Sequence, residues 1–489
     1  MKELRPIMFV GTGSDVGKSV INTAFCRIFL QDGYMPAPFK AQNMSLNSYA
    51  TSEGLEIGRA QAVQSEACGI DCSSDMNPIL LKPTSNTSAQ VVLNGKPIGN
   101  RSASAYFMKT DRDMLFKEAT KAYQRLAIKY NPMVIEGAGS ISEINLWDKD
   151  ITNMRMALFA QAAVFLIGDI DKGGVFGNVY GAIQLLPPEE RALIKGIIIN
   201  KFRGDSTLFG KGKEILENLT GVPVVGIIPW FDDIFIDDED SVSIDSKKQN
   251  AINNRINIAV VLLRHMSNFT DFNYLERMSE AHLYYTANPA DVEKADIIII
   301  PGSKNTISDM MYLRNTGLAK AILQAHENGK AVYGICGGFQ MMGKEINDPY
   351  HVEGDIETMP GLGILPVLTT LTEDKTTVQC EFHFLQDNRL CKGYEIHMGE
   401  SVSESATPLC YVLENRKKDG YFLNPKTWGT YMHGIFDNEA VVDYIFKNNG
   451  IEHDTTLKDH HLFKEEQYNK LSNLVRKSVK MEYIYQVLK

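Results

Sequence analysis

The segment Gly334-Ile335-Cys336-Gly337-Gly338-Phe339-Gln340 follows the apolar run Ala331-Val332-Tyr333. A cysteine among glycines at a strand-to-helix corner is how a chain exposes a thiol nucleophile on a tight turn. Far upstream stands Gly11-Thr12-Gly13-Ser14-Asp15-Val16-Gly17-Lys18-Ser19, a phosphate-loop pattern. Its glycines let backbone N–H groups turn onto phosphates, and the helix that follows adds its positive end. Lys18 would reach the β- and γ-phosphates of ATP, and Ser19 would hold Mg²⁺ through its hydroxyl. The spacing departs from Gly-x-x-x-x-Gly-Lys-Ser, because Thr12 stands where the first glycine belongs and Gly11 precedes it. One chain thus carries a candidate thiol hydrolase and a candidate nucleotide site.

A thiol of this kind needs a lowered pKa, a base that later acts as an acid, and donors for a tetrahedral oxyanion. A helix beginning at Gly337 supplies part of the first. The backbone N–H of Gly337, with that of Gly302 or Ser303, could supply the third. For the base, His433 lies among Trp428, Tyr431 and Phe436, an embedding that a surface histidine would not have. His397, within Gly393–Gly399, is the rival; the neighbouring His460 and His461 read as surface residues. At the other end, Glu136 closes the apolar run Met133–Glu136, where a carboxylate can hold the Mg²⁺ that bridges phosphates. Lys40 ends another strand and could balance charge on a transferred phosphoryl group. Asn200, at a third strand end, could read an adenine edge through its amide.

Elements that would position these residues alternate in βαβ fashion. Strands are predicted at Pro6–Val10, Ala37–Lys40, Met133–Glu136, Val164–Asp169, Gly196–Asn200 and Val222–Ile228. Helices are predicted at Lys18–Gln31, Leu55–Gly69, Met114–Tyr130 and Ile151–Ala163. An acid-rich stretch, 233–255, has little apolar periodicity and reads as a linker. A second alternating series follows, with strands at Ile256–Leu263, Ile297–Ile300 and Ala331–Ile335 and helices near Phe272–Ala281 and Ser308–Asn328. The expected division is a nucleotide domain at 1–232, the linker, a thiol domain at 256–445 and a helical tail at 446–489 packed on the second domain.

At 489 residues the chain exceeds one ordinary core, so two α/β domains are the natural reading. A net charge of -10 argues against a nucleic-acid partner, which would want a basic face. Seven cysteines with no paired spacing, and no export signal, predict reduced thiols in a cytoplasmic protein. No apolar run is long enough to span a bilayer.

The displaced glycine of the phosphate loop resembles dethiobiotin synthetase and its relatives, P-loop enzymes that activate carboxyl groups. Gly-x-Cys-x-Gly-x-Gln around Cys336 resembles the nucleophile motif of class I glutamine amidotransferases, whose histidine matches His433. Those enzymes usually follow the histidine with Pro-Glu, where this chain has Gly434-Ile435, so a Cys–His dyad or another acceptor must serve. Further strings resemble one family throughout both halves: Pro38–Met44, Gly58–Ala62, Met76–Thr84, Glu136–Ser140, Asp169–Phe176, Asn200–Asp205 and Gly393–Gly399. That family is the glutamine-hydrolysing adenosylcobyric acid synthases of the cobalamin pathway. The resemblance implies a P-loop, dethiobiotin-synthetase-like parallel-sheet domain followed by a class I amidotransferase-like domain. It implies ATP- and Mg²⁺-dependent amidation of a corrinoid, glutamine being the nitrogen donor, with an acyl phosphate as intermediate. Gln42, Asn43 and Asn47 are the expected corrin contacts. The rival readings are a cobyrinic acid a,c-diamide synthase and a deviant P-loop regulatory ATPase. The latter carries a signature lysine where Gly13 stands here.

Overall fold

A computed structural model describes residues 3–85, 88–102, 112–237, 247, 250–404, 407–452 and 460–489. The first half is built on a six-stranded parallel sheet. Its spatial order is Val224–Pro229, Ile194–Phe202, Ala163–Asp169, Ile7–Gly11, Met133–Glu136 and Ala37–Phe39. These strands read as near-continuous apolar runs because helices cover both faces. Ile7–Gly11 lies between Ala163–Asp169 and Met133–Glu136, with Phe9 opposite Glu136 and Gly11 opposite Ile167. The phosphate loop therefore leaves the middle of the sheet at the carboxyl ends of the strands, where such folds place their ligands.

The helix Lys18–Gln31 forms as predicted, whereas the predicted Leu55–Gly69 shortens to Arg59–Ala67. Glu56–Gly58 instead pairs with Ser48–Ala50 in a small antiparallel ribbon. A mixed four-stranded sheet, with Gln42–Met44, Ile79–Ser85, Ser88–Leu93 and Lys96–Ser102, extends this half and was not foreseen.

The second half has its own six-stranded sheet, parallel except for the edge strand Tyr421–Asn424. Ala331–Ile335 sits between Ile297–Ile300 and Thr427–Thr430, so the ends of all three strands converge near Cys336. The helix expected near Phe272–Ala281 is only the turn Asn273–Glu276, and Ala281–Thr286 is a strand. Its His-Leu-Tyr-Tyr-Thr run suits a pleated, half-buried surface better than a helix. The helix expected over Ser308–Asn328 divides into Thr306–Asn315 and Leu318–Glu327 around Gly317. A long antiparallel pair, Leu368–Phe384 with Cys391–Val402, flanks the thiol.

The tail divides between the domains: Phe446 and Ile451 stay in the second domain's core and His460 meets Tyr274, as the sequence suggested, whereas the rest of the tail packs on the first. Tyr468, Leu471 and Val475 of the helix His460–Ser478 share a core with Phe9, Phe25 and Phe29. The apolar outer side of Lys18–Gln31 needs that cover, and the tail's stripe is diluted among lysines and glutamates in the sequence. Arg5 N–H donates to Leu488 O at 2.8 Å, tying the last helix to the first strand.

The ribbon Ser48–Ala50 joins the halves. Gln379 donates to Ala50 O at 2.8 Å, and Tyr49 meets Tyr394 edge-on at 4.7 Å. Beside them Glu56 is buried between Lys82, at 2.6 Å, and Lys375 of the second half. Burial opposes its ionisation, but Lys375 and Lys82 together hold its carboxyl well below the usual range. Replacing Glu56 by Gln leaves two buried ammonium groups without their counter-charge. We expect a loss of roughly 3–5 kcal/mol, read as a lowered denaturant midpoint of the interface contacts. An unmoved midpoint would show that the triad does not hold the halves together.

Candidate active site

At the phosphate end, the chain turns from Gly11 into the helix at Lys18 through a loop that could carry no side chain at Gly17. That residue has φ 96°, and a Cβ there would stand 2.2 Å from the Asn200 amide nitrogen. Lys18 Nζ donates to Gly13 O at 2.8 Å and Gly139 O at 3.0 Å, which curls the loop around it. Glu136 is fully buried and receives three donors: Ser19 Oγ and Lys40 Nζ at 2.8 Å on Oε1, and Gln64 Nε2 at 2.6 Å on Oε2. The structure thus brings Lys18, Ser19, Lys40 and Glu136 together from three strand ends. Gln64 is an addition the sequence did not single out; it sits one helical turn beyond Ala60 on Arg59–Ala67, facing Lys18–Gln31. Asn200 lies against the same loop, but its amide nitrogen donates to Val16 O at 2.8 Å. Its side-chain oxygen and its second amide hydrogen are left to meet a base.

The expected corrin contacts divide. Gln42 is half-buried beside Arg112. Asn47, by contrast, is 1% exposed, and its Oδ1 accepts the Phe269 N–H at 3.1 Å across the domain boundary. Asn43 is buried too, donating to Gln61 Oε1 at 3.3 Å and accepting the Met44 N–H. Both asparagines have partners inside the protein, as buried amides require.

At the thiol end, Cys336 adopts φ 51° and ψ −110°, a strained elbow between the strand Ala331–Ile335 and the helix Gly337–Met342. Its N–H is held by Thr430 O at 2.8 Å. The elbow requires glycine behind it: a Cβ on Gly338 would stand 1.9 Å from Ile300 O. Such a forced conformation keeps the sulfur on the open side of the turn. Gly302 and Ser303 form a short strand with Met266–Ser267, and the Ser303 nitrogen lies 2.8 Å from where a Cβ on Gly337 would be. Both backbone loops expected to face an oxyanion are therefore adjacent.

His433 and Cys336 line one pocket, and the ring that the sequence left without an orienting acid has one. Asp271 Oδ2 meets His433 Nδ1 at 2.7 Å, and Asp271 Oδ1 accepts the Gly434 N–H at 3.0 Å. Proline at 434, usual in class I enzymes, has no N–H to give; glycine makes the second bond available. Burial opposes charge on His433, but the charges of Asp271 and Cys336 outweigh it and raise the imidazole to about 10. Tyr394 stacks on the ring at 5.3 Å. His397 lines the pocket as well, yet both its ring nitrogens face oxygens, Gly399 O and Glu395 Oε2, each at 3.0 Å. It has no nitrogen left for the thiol.

The arrangement suits thiolate attack followed by proton donation from the imidazolium. Changing Asp271 to Asn should cost roughly 10²-fold in glutamine hydrolysis, within the range of a misdirected acid–base group. The sign of the pH effect is set by the charge removed. Losing an anion lowers the imidazole's affinity for its proton, so the alkaline limb of the rate profile should move down from near pH 10. A limb that stays in place would mean that Asp271 does not govern this proton.

Residues 7–244 match the model of the CobQ/CobB/MinD/ParA nucleotide binding domain, and residues 257–441 that of the CobB/CobQ-like glutamine amidotransferase domain. A cobyric acid synthase of Parabacteroides distasonis is 59% identical, over 100% of this chain and 99% of that protein. The chain belongs to the cobyric acid synthase family. Cobyric acid synthases of Bacteroides fragilis and Syntrophobacter fumaroxidans are 57% and 43% identical, over 100% and 99% of this chain and 99% and 98% of those proteins. With its two domain matches, this member of the family is a glutamine-dependent amidating ligase of cobalamin synthesis. A match along the whole length of cobyric acid synthases sets the regulatory-ATPase reading aside. No helix among the described residues is long and apolar enough to cross a membrane.

Proposed function

We propose that the chain amidates carboxylates b, d, e and g of adenosylcobyrinic acid a,c-diamide, using glutamine as nitrogen source and ATP to activate each carboxylate. The observation that carries this reading is the pair of assembled sites in one chain. Cys336, His433 and Asp271 meet in one half, and Lys18, Ser19 and Glu136 in the other.

Cys336 Sγ attacks the side-chain amide carbon of glutamine. The tetrahedral oxyanion is received by the N–H of Gly337 with that of Gly302 or Ser303, and His433 gives its proton to the departing ammonia. Water then releases glutamate from the thioester. In the first half a corrin carboxylate oxygen attacks the γ-phosphorus of ATP, leaving ADP and an acyl phosphate. Lys18 and Lys40 offset the charge on the phosphoryl oxygens. Ammonia attacks the acyl carbon and phosphate departs, because phosphate is a far better leaving group than oxide. Ammonia is mostly protonated near neutral pH, so transfer within the protein preserves its nucleophilic form.

Mg²⁺ fits the phosphate end: the Ser19 hydroxyl and Glu136 carboxylate are hard oxygens already in contact, and the ion takes few protein ligands beside phosphates and water. When bound it neutralises phosphate charge. Gln42, Asn43 and Asn47 are the proposed corrin contacts, and the amide of Asn200 the candidate reader of the base. Seven free thiols suit a reducing cytoplasm.

Mass spectrometry of the corrinoid after incubation with ATP, Mg²⁺ and glutamine tests the proposal. Four successive amidations of the a,c-diamide are expected. Two amidations of the fully acidic precursor, with the a,c-diamide left untouched, would instead identify an a,c-diamide synthase. Unchanged masses with both substrates would sink corrinoid amidation altogether.

A further inference from the structure

The pocket at Cys336 holds more positive charge than its own acids balance. Three lysines line it, Lys82, Lys304 and Lys375, against one lining carboxylate, Glu353. Two of the lysines are already engaged. Lys82 Nζ donates to Glu56 Oε1 at 2.6 Å and Ser48 Oγ at 2.8 Å, and Lys375 pairs with the other Glu56 oxygen. Glu353 is taken as well, accepting the Ile307 N–H at 2.9 Å. Among the described residues, the Lys304 ammonium has no hydrogen-bond acceptor and no carboxylate within ion-pair reach.

Its place in the chain puts it beside the chemistry. Lys304 directly follows Ser303, whose nitrogen abuts Gly337, so its Cα is ~3.8 Å from that of a residue facing the oxyanion. Burial, then the charge of Lys82, pushes its ammonium below the ordinary lysine range, while Glu353, Glu56 and Cys336 pull the other way. A cation held at such a disadvantage gains from an incoming anion. Glutamine brings one: with its amide carbon at Cys336, its α-carboxylate lies a few bonds away.

We propose that Lys304 binds the α-carboxylate of glutamine and so sets the selectivity of the thiol site for the free amino acid over other primary amides. This rests on the amidotransferase reading above and names a residue within it. Lys82 and Lys375 shape the wall behind, fixed by Glu56 across the domain boundary.

The test compares glutamine with 4-aminobutanamide, the same amide lacking the α-carboxylate, as substrates for ammonia release by the full-length enzyme. In Lys304→Met the ratio of kcat/KM for glutamine to that for 4-aminobutanamide should fall at least about 10-fold, the size of one charge-assisted hydrogen bond. The loss should fall on KM for glutamine, and Lys304→Arg should keep most of the ratio. Amidation supported by ammonium salt reports that each variant is folded. A ratio unchanged in Lys304→Met overturns the assignment, as does a ratio that falls in Lys375→Met but not in Lys304→Met. Failure of the wild-type enzyme to release any ammonia from glutamine would overturn the amidotransferase reading itself, a separately visible outcome.

Discussion

Cys336→Ser should abolish glutamine-dependent amidation, by at least about 10³-fold, and leave amidation supported by ammonium salt intact. A hydroxyl has nearly the size of a thiol, so the elbow at φ 51° is kept and only the nucleophile is weakened. Serine's proton is held far more tightly than cysteine's, and His433 cannot make an alkoxide as it can support a thiolate. The raised imidazole makes this worse for serine. The Asp271 carboxylate, which stays in the variant, still raises the imidazole after the Cys336 charge is gone, and a ring that favours its proton is a poor base for a hydroxyl. The measurement is amide formed with glutamine and with ammonium salt, side by side. Equal loss with both donors would mean that Cys336 serves the fold or the other site. Undiminished turnover with glutamine would remove it from the chemistry.

The two features that announced the chemistry in the sequence, Gly11–Ser19 and Gly334–Gln340, are contiguous. Each is a strand, a turn that needs glycine and a helix start, so local spacing carries nearly all of its meaning. The strand ends holding Glu136 and Lys40 were legible for a related reason. A charged residue closing an apolar run has to sit where the sheet meets a ligand or water. Asp271 was not legible, because it lies 162 residues from His433 and no local pattern ties them. The available hint was an acid inside Phe269-Thr270-Asp271-Phe272, buried among aromatics with no basic neighbour in sequence. The inter-domain bond of Asn47 was not legible either. Polar residues near a ligand site and polar residues that stitch two domains look alike until a partner such as Phe269 is placed. Leu368–Phe384 was equally silent, since its alternation is largely Thr, Glu, Asp and Lys, and one side of it rests on the other half of the protein.

Lys18→Met provides the complementary result at the other end of the chain. Lys18 is 7% exposed and held by two loop carbonyls. Methionine keeps the length and apolar stem, so the loop loses a charge with little change of shape. Charge develops on the phosphoryl oxygens as the corrin carboxylate attacks, and removing a preorganised donor from such a site costs roughly 10²–10³-fold. We expect phosphate release and amide formation to fall together by that factor with either nitrogen donor. Glutamate release at Cys336 should persist, since Lys18 and Cys336 follow strands of different sheets with separate cores. Should amide formation survive while phosphate release is lost, activation cannot proceed through an acyl phosphate. Should glutamate release collapse as well, the thiol site must depend on the state of the nucleotide site. The helix Arg59–Ala67 is where to look for that dependence. Its Gln64 touches Glu136, and its Arg59 lies over Tyr49 at 4.9 Å, which in turn packs on Tyr394 against the His433 ring.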